Sequence, residues 1–225
     1  MPERLPRPHA MVILLALAVL PACHQHLTGS GFLGTYVDMK PGRYLEAESH
    51  LPDLRFDGRA WLAVQPVGPY GPASGSRASV QRLGDVLQAA LAREIGGSGL
   101  YGRVTENDAI RPPEGTAYAL DAVITEIETG RPEESLRPGG GVPSARRISV
   151  EGKIAEVESG RPVFKFKDTR VEAPRAGRAG GDAEAEARLE RDLEAIAGDV
   201  ADGLRAIHAA ARRSPPPGPP PEGVR

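Results

Sequence analysis

One cysteine in 225 residues excludes an internal disulfide framework and every multi-cysteine zinc or iron–sulfur site. Charge of one sign is lacking as well. The 28 Lys+Arg stand against 30 Asp+Glu, a net −2 that offers no global electrostatic reason to bind nucleic acid. Aromatic residues are scarce at 4%, while 27 glycines and 22 prolines mark stretches that build no core. There is no Gly-Lys-Ser/Thr phosphate loop and no G-x-S-x-G nucleophile elbow. Only one long apolar run exists, and it sits at the start of the chain.

That run covers residues 10–20, from Ala10 to Leu20, behind a weakly positive stretch carrying Arg4 and Arg7 against Glu3. Eleven residues at about 1.5 Å each span half of a hydrocarbon core, the length of a signal-peptide h-region rather than a membrane-crossing helix. Leu20-Pro21-Ala22-Cys23 follows and resembles the lipobox of bacterial lipoproteins. That resemblance implies that Cys23 is acylated and becomes the new N-terminus, the lipidation site and membrane partner of the chain. It also implies the outer membrane as destination, because His24 stands where an Asp retains such proteins at the inner membrane. Removing residues 1–22 leaves 203 residues with two arginines and one glutamate fewer, a net charge of −3. A plain secretory signal followed by an incidental Cys23 is the alternative.

The remainder divides into a tether (23–54), one domain (55–213) and a Pro-rich tail (214–225). Gly29, Gly31, Gly34, Pro41, Gly42 and Pro52 break any period in the tether, which reads as an extended linker able to dock on the domain. The tail cannot form a helix or a sheet ladder, since proline lacks the donor. Residues 60–67 read as a buried strand, and residues 68–76 as a Gly/Pro/Ser loop. Val80, Leu83, Leu87, Ala90, Leu91 and Ile95 predict an amphipathic helix capped by Ser76 or Ser79 and closed at Gly96-Gly97. Short strands are expected at 100–106 and 117–128. In the second, Tyr118, Leu120 and Ile124 face one way and Val123 and Ile127 the other.

A long loop, 130–144, leads to Ile148, Val150, Gly152 and Ile154, which alternate with polar residues and predict a strand with one wet face. Phe164 and Phe166 share a face of the next strand, making a hairpin. Leu189, Leu193, Ile196, Val200, Leu204 and Ile207 predict a helix over 182–213, with Gly198 and Gly203 permitting close approach to the sheet. The order β-α-β-β-β-β-α implies an α+β two-layer sandwich. Its mixed sheet joins a β-α-β crossover to an antiparallel meander, with both helices packed on one face.

Gly31-Phe32-Leu33-Gly34-Thr35-Tyr36, followed by Met39-Lys40-Pro41-Gly42, resembles the opening of an uncharacterised bacterial lipoprotein family, domain of unknown function 3313. Val64-Gln65-Pro66-Val67, Leu87 to Leu91 and Ala122 to Glu126 are similar to its later landmarks. Thr35 stands where an acidic residue is usual, and Met39 replaces Leu. The element order is also similar to that of curli-secretion-type lipoproteins and of small lipoproteins assisting lipid transport. The resemblance implies an envelope lipoprotein and carries over no catalytic residue.

Motifs that could carry chemistry stand in the wrong context. Gly97-Ser98-Gly99-Leu100-Tyr101-Gly102 spells G-x-G-x-x-G, but it follows a helix instead of opening one, so a helix stop is expected and no cofactor is assigned. His24 and His26 are two imidazoles of an incomplete metal shell, and no metal is assigned. His50 lies in the tether. His208 sits near the end of the last helix, where an imidazolium suits the dipole. Glu126 with Glu128, and Glu156 with Glu158, read as solvated strand ends. Arg146, Arg147, Arg170, Arg175 and Arg178 form a loose basic group near the meander's ends, and the acidic start at 182–186 suits a helix N-terminus. No catalytic residue is assigned and no enzyme is expected. The expectation is a periplasm-facing binding or assembly module with an envelope protein or peptidoglycan as partner and no nucleic acid. The alternative is an oligomerising subunit of a lipid-transport or secretion system.

Overall fold

The computed structural model describes residues 32–33, 38–52, 54–69, 77–106, 115–128, 146–172 and 182–213. Cys23, His24, His26, the loop at 130–144, Ser76, Arg175, Arg178 and the Pro-rich tail lie outside them. The elements are β1 (Ala47–His50), β2 (Trp61–Val64), β3 (Gly68–Pro69), α1 (Arg77–Gly97), β4 (Arg103–Glu106), β5 (Ala117–Glu128), β6 (Arg146–Glu156), β7 (Pro162–Glu172) and α2 (Asp182–Arg213). They form one mixed sheet in the order β1-β7-β6-β5-β2-β4, with β3 added beside β5, and two helices. The fold is α+β, a two-layer arrangement of helices on a sheet.

Alternation builds the sheet. In β5, Tyr118, Leu120, Ala122 and Ile124 are buried toward the helices. A register shift between Ile124 and Glu126 then advances the strand by one residue. Ile127 therefore returns to the buried side with Ile124, and only Val123 keeps the opposite face expected for both. β2 pairs in parallel with β4 and β5, and β5-β6-β7 run as an antiparallel meander. The β6–β7 turn closes through Gly160, whose φ of 67° suits a residue without Cβ.

The helices close the core from one side. Leu83, Leu87, Leu91 and Ile95 of α1 and Leu193, Ile196, Val200 and Leu204 of α2 are all nearly or fully buried, recurring at the three- and four-residue steps that place them on one stripe. Gln88, buried on α1, donates its Nε2 to the carbonyl of Val64 at 3.0 Å, tying the helix to β2. Ser79 lies inside the first turn of α1 rather than before it. Gly203 faces Leu45 and Glu48, where an added Cβ would sit 3.4–3.5 Å from them, whereas Gly198 meets nothing within 4 Å.

Part of the segment read as a linker joins the domain. Residues Ala47–His50 pair antiparallel with β7, opposite Lys167 to Phe164, and extend the sheet. Leu45, Leu54 and Phe56 enter the main core, and Leu33, Met39 and Ala47 form a second buried cluster with Phe32 against it. Residues directly opposite in an antiparallel pair share a face. Ala47 and Ser49 therefore lie with Lys167 and Lys165 on the face away from the helices, and the second cluster covers part of that face. This corrects the wet face expected of β6, since Ser149 and Glu151 there are 4% and 2% exposed.

Candidate functional site

The face of the sheet away from the helices carries a polar groove. Register sets its rows: Glu126 opposes Ser149, which opposes Thr169; Arg147 opposes Glu128 and Val171; Glu151 opposes Lys167. The groove holds about 340 Å³ and is lined by Glu46, Glu126, Arg147, Ser149, Lys167, Thr169 and Val171. Its floor is a chain of hydroxyls. Ser149 Oγ donates to Glu126 Oε2 at 3.2 Å and lies 3.0 Å from Thr169 Oγ1. Since each hydroxyl has one proton, Thr169 donates to Ser149 and keeps its remaining lone pairs as acceptors. The walls are two loose ion pairs, Arg147 Nη1 to Glu126 Oε1 and Lys167 Nζ to Glu46 Oε1, both 3.6 Å. Val171, 56% exposed, forms an apolar lip.

Beside the groove runs the N-terminal clasp, the chain carrying Phe32, Leu33 and Met39. Lys153 Nζ sits 5.1 Å from the centre of the Phe32 ring. Asp38 accepts a hydrogen bond from Ser49 Oγ at 3.2 Å and lies 3.7 Å from Lys165 Nζ. The stretch on which the family resemblance rests thus supplies the apolar groups of this clasp, Phe32, Leu33 and Met39, and Asp38 beside it supplies the acidic one on the lysine-bearing face.

The basic group expected at the meander's ends does not face solvent as one patch. Arg146, only 11% exposed in its side chain, bridges Glu172 at 2.7 Å and Asp192 of α2 at 2.8 Å. Arg170 pairs with Asp199 of α2 and with Asp168 at 3.1 Å. Register puts Arg146, Glu172, Arg170 and Asp168 on the helix side of the sheet, so these cations join β6 and β7 to α2. Burial raises the carboxyl pKa values of Asp168 and Asp192 above the ordinary range, against the pull of Arg170 and Arg146. Arg147 alone of the described arginines in that group faces the groove. The acidic start of α2 also does more than suit its dipole, since Arg82 of α1 holds Glu186 at 3.4 Å and Glu190 at 2.6 Å.

The remaining candidates resolve individually. The G-x-G-x-x-G stretch ends α1: Ser98 Oγ donates to the Ile95 carbonyl at 2.5 Å, and Leu100 N–H donates to Ser98 Oγ at 3.3 Å. Gly102 crosses so close to Gly58 that a Cβ would lie 2.3 Å from its carbonyl oxygen, which accounts for that glycine without a phosphate. Glu156 is fixed by Ser159 Oγ at 2.7 Å and Arg161 at 3.1 Å, and these two lower its pKa. Glu158 lies beyond the end of β6 and does not converge with it. Glu126 and Glu128 do share a face, and Glu126 belongs to the groove. Among the described residues, no three His, Cys, Asp or Glu side chains come together as a metal site, and no helix is long and apolar enough to cross a membrane.

His208 departs from its expected role. Its Nδ1 accepts the backbone N–H of Phe56 at 3.3 Å, and the two rings stand 6.1 Å apart. Burial first, then Arg212 and Arg55, holds its pKa below the usual 6.5. The imidazole thus serves as a neutral acceptor and not as a cation on the dipole. Below pH 6.5 the unfolded chain binds this proton more readily than the folded one, so stability falls as pH drops toward the folded pKa. Urea unfolding of His208→Gln should show a shallower pH dependence than the unsubstituted protein just below pH 6.5. Superimposable slopes would remove His208 as the cause.

No family model and no curated protein matches the chain. Thirty-eight chains of solved structure do. The chain is similar to the PelC dodecamer subunit of Paraburkholderia phytofirmans at 17% identity, over 70% of this chain and 94% of that one, with a TM-score of 0.45. It is similar to a Xanthomonas campestris protein of the family DUF330 at 16% identity, over 72% and 91%, with a TM-score of 0.46. It is also similar to the lipoprotein GNA1162 of Neisseria meningitidis at 14% identity, over 64% and 99%, with a TM-score of 0.38. Besides GNA1162, the similar structures include a minor lipoprotein of Acinetobacter baumannii.

Proposed function

We propose that this chain is a bacterial lipoprotein, held at the periplasmic face of the outer membrane by acylated Cys23, and that its domain is a non-enzymatic binding or assembly module. The observation that carries this reading is the distance between lipobox and fold. Phe32 and Leu33 are already seated on the open face of the sheet, nine residues after Cys23. Fully extended, that stretch reaches roughly 30 Å. An anchor at Cys23 therefore keeps the grooved face within a short reach of the bilayer. Two or more acyl chains hold such an anchor stably where one chain is marginal.

A binding role is supported by the chemistry of the grooved face. It presents hydroxyls, carboxylates and cations in fixed register, while the described histidines are tied to backbone groups, His50 to the Leu51 carbonyl and His208 to the Phe56 N–H. Membership of the family domain of unknown function 3313 fits the same picture, since Phe32, Leu33 and Met39 of its opening stretch form the clasp. Fractionation of cells producing Cys23→Ser tests the anchor. The variant is expected to move from the membrane to the soluble fraction, and His24→Asp to move from the outer to the inner membrane. A Cys23→Ser protein that stays in the outer membrane would overturn the reading.

A further inference from the structure

Each side of the groove carries one cation and one carboxylate, loosely paired, above a floor of hydroxyls whose protons are already engaged. Arg147 and Glu126 stand 3.6 Å apart, as do Lys167 and Glu46, beyond hydrogen-bond length. The contrast lies on the other side of the same strands, where Arg146 is held by two carboxylates at 2.7 and 2.8 Å. A guanidinium offers five donors, so Arg147 can hold two oxygens of a phosphate without giving up Glu126. Across the floor, Glu46 precedes β1 level with Asp168 and Val150, two strand spacings across and three residues along from Arg147 of β6, and therefore about 14 Å away at the backbone, a gap that the two long side chains narrow. Between them Thr169 keeps acceptor lone pairs, because its proton serves Ser149. The groups across the groove are thus the Arg147–Glu126 pair, the hydroxyls of Ser149 and Thr169, and the Lys167–Glu46 pair.

We propose that this groove binds a small zwitterion carrying an oxyanion and a primary ammonium, the phosphoethanolamine headgroup of a phospholipid. The phosphate oxygens lie against Arg147, and the ammonium donates to Thr169 and to Glu46, sharing that carboxylate with Lys167. A lipid source is favoured over a free metabolite or cell-wall peptide by the clasp. It crosses the same face and leads in nine residues to Cys23. The proposal deepens the anchored-binding reading and in that respect rests on it.

The test separates the two. Mature protein purified in detergent, with acylation of Cys23 read by mass spectrometry, is titrated with glycerophosphoethanolamine and, separately, glycerophosphoglycerol, which keeps the phosphate and lacks the ammonium. Backbone amide shifts of residues 147, 149 and 169 and calorimetry report binding. The ethanolamine compound is expected to bind at least tenfold more tightly than the glycerol compound. Arg147→Gln should weaken both by tenfold or more, Arg147→Lys should restore part of the loss, and Glu46→Gln should erase the preference for ethanolamine. Thermal melts of each variant confirm folding. Equal affinity of the unsubstituted protein for the two compounds, or shifts outside the groove, overturns the proposal whether or not Cys23 is acylated. Tighter binding of diaminopimelate, an ammonium–carboxylate zwitterion of peptidoglycan, overturns the lipid source. An unacylated Cys23 with intact headgroup binding instead defeats the anchor and leaves the groove's specificity standing.

Discussion

Placing a methyl group at Gly152 is expected to destabilise the domain by about 3 kcal/mol, the upper end of the cost of overpacking a close-packed core. Gly152 of β6 lies directly opposite Phe166 of β7, and the phenyl ring folds back over it. A Cβ at this position would sit 2.3 Å from two ring carbons. The ring has nowhere to go. Phe166 is fully buried and stacks on Phe164 with centroids 5.8 Å apart. Phe166→Ala alone should cost about 3–5 kcal/mol through the cavity it leaves. The informative measurement is the pair. In Gly152→Ala/Phe166→Ala the new methyl occupies part of the vacated space, so the double variant should be more stable than the sum of the single losses by about 1 kcal/mol or more. Urea denaturation of the four proteins measures this. Additivity within about 0.5 kcal/mol would show that the ring does not rest on the glycine.

Arg146→Met is expected to cost about 2–3 kcal/mol at neutral pH, less than the roughly 3–5 kcal/mol for breaking a fully buried pair, because Glu172 and Asp192 are each 26% exposed. The loss comes less from the arginine than from what it leaves behind. Glu172 and Asp192 keep their burial and lose the cation that sits 2.7–2.8 Å from each. Burial already raises the Asp192 pKa above its ordinary value, and the Arg146 charge is the foremost pull in the other direction. Without that charge the carboxyl rises further. A raised carboxyl stabilises the fold below its unfolded pKa, and that contribution is lost as pH climbs through the folded pKa. The deficit of Arg146→Met relative to the unsubstituted protein should therefore be largest at pH 7 and shrink toward pH 4. Adding Asp192→Asn should recover part of it at pH 7. A deficit that is constant with pH would assign the effect to lost packing of the arginine stem instead.

Much of the fold was legible because its signals are local. α2 shows its apolar stripe from Leu189 to Ile207 within one helix, and β6 and β7 show theirs by simple alternation. Three features were not. The bulge after Ile124 moves Ile127 to the other face, and nothing in Ala122 to Ile127 marks the extra residue. β1 has no alternating apolar pattern, because an edge strand of Glu48, Ser49 and His50 gains its place through backbone pairing with β7. Gly31, Gly34, Pro41 and Gly42 mark the clasp as a linker able to dock, but nothing local in it shows that Leu33 and Met39 need only a small seat, which Ala47 and the sheet provide.

The candidate site was legible only in its ingredients. Ser149, Glu151 and Lys153 stand out as the polar phase of β6, but which of them faces Thr169 or Lys167 depends on register. The arginines are a sharper case. Arg146 and Arg147 are neighbours in sequence, yet alternation sends one to a buried cluster with α2 and the other to the groove. Their carboxylate partners Asp192 and Glu126 lie 46 and 21 residues away, where no local spacing relates them. The stretch from Leu20 to Cys23 that resembles a lipobox, by contrast, is contiguous, and the resemblance needs no folded partner to be read.

The pairing of Ala47 with Lys167 joins residues 120 positions apart. A chain that crosses a membrane unfolded has made all of these residues before any of them pairs, so the long separation is closed by the whole chain at once. Lengthening such a loop twofold costs only about 0.6 kcal/mol. Until β7 is in place, residues 47–50 have no strand to lie against, their backbone groups bond to water, and Leu33 and Met39 have no seat beside Ala47. The docking of this edge strand therefore depends on the strand beneath it, and loss of β7 pairing would release the clasp with it.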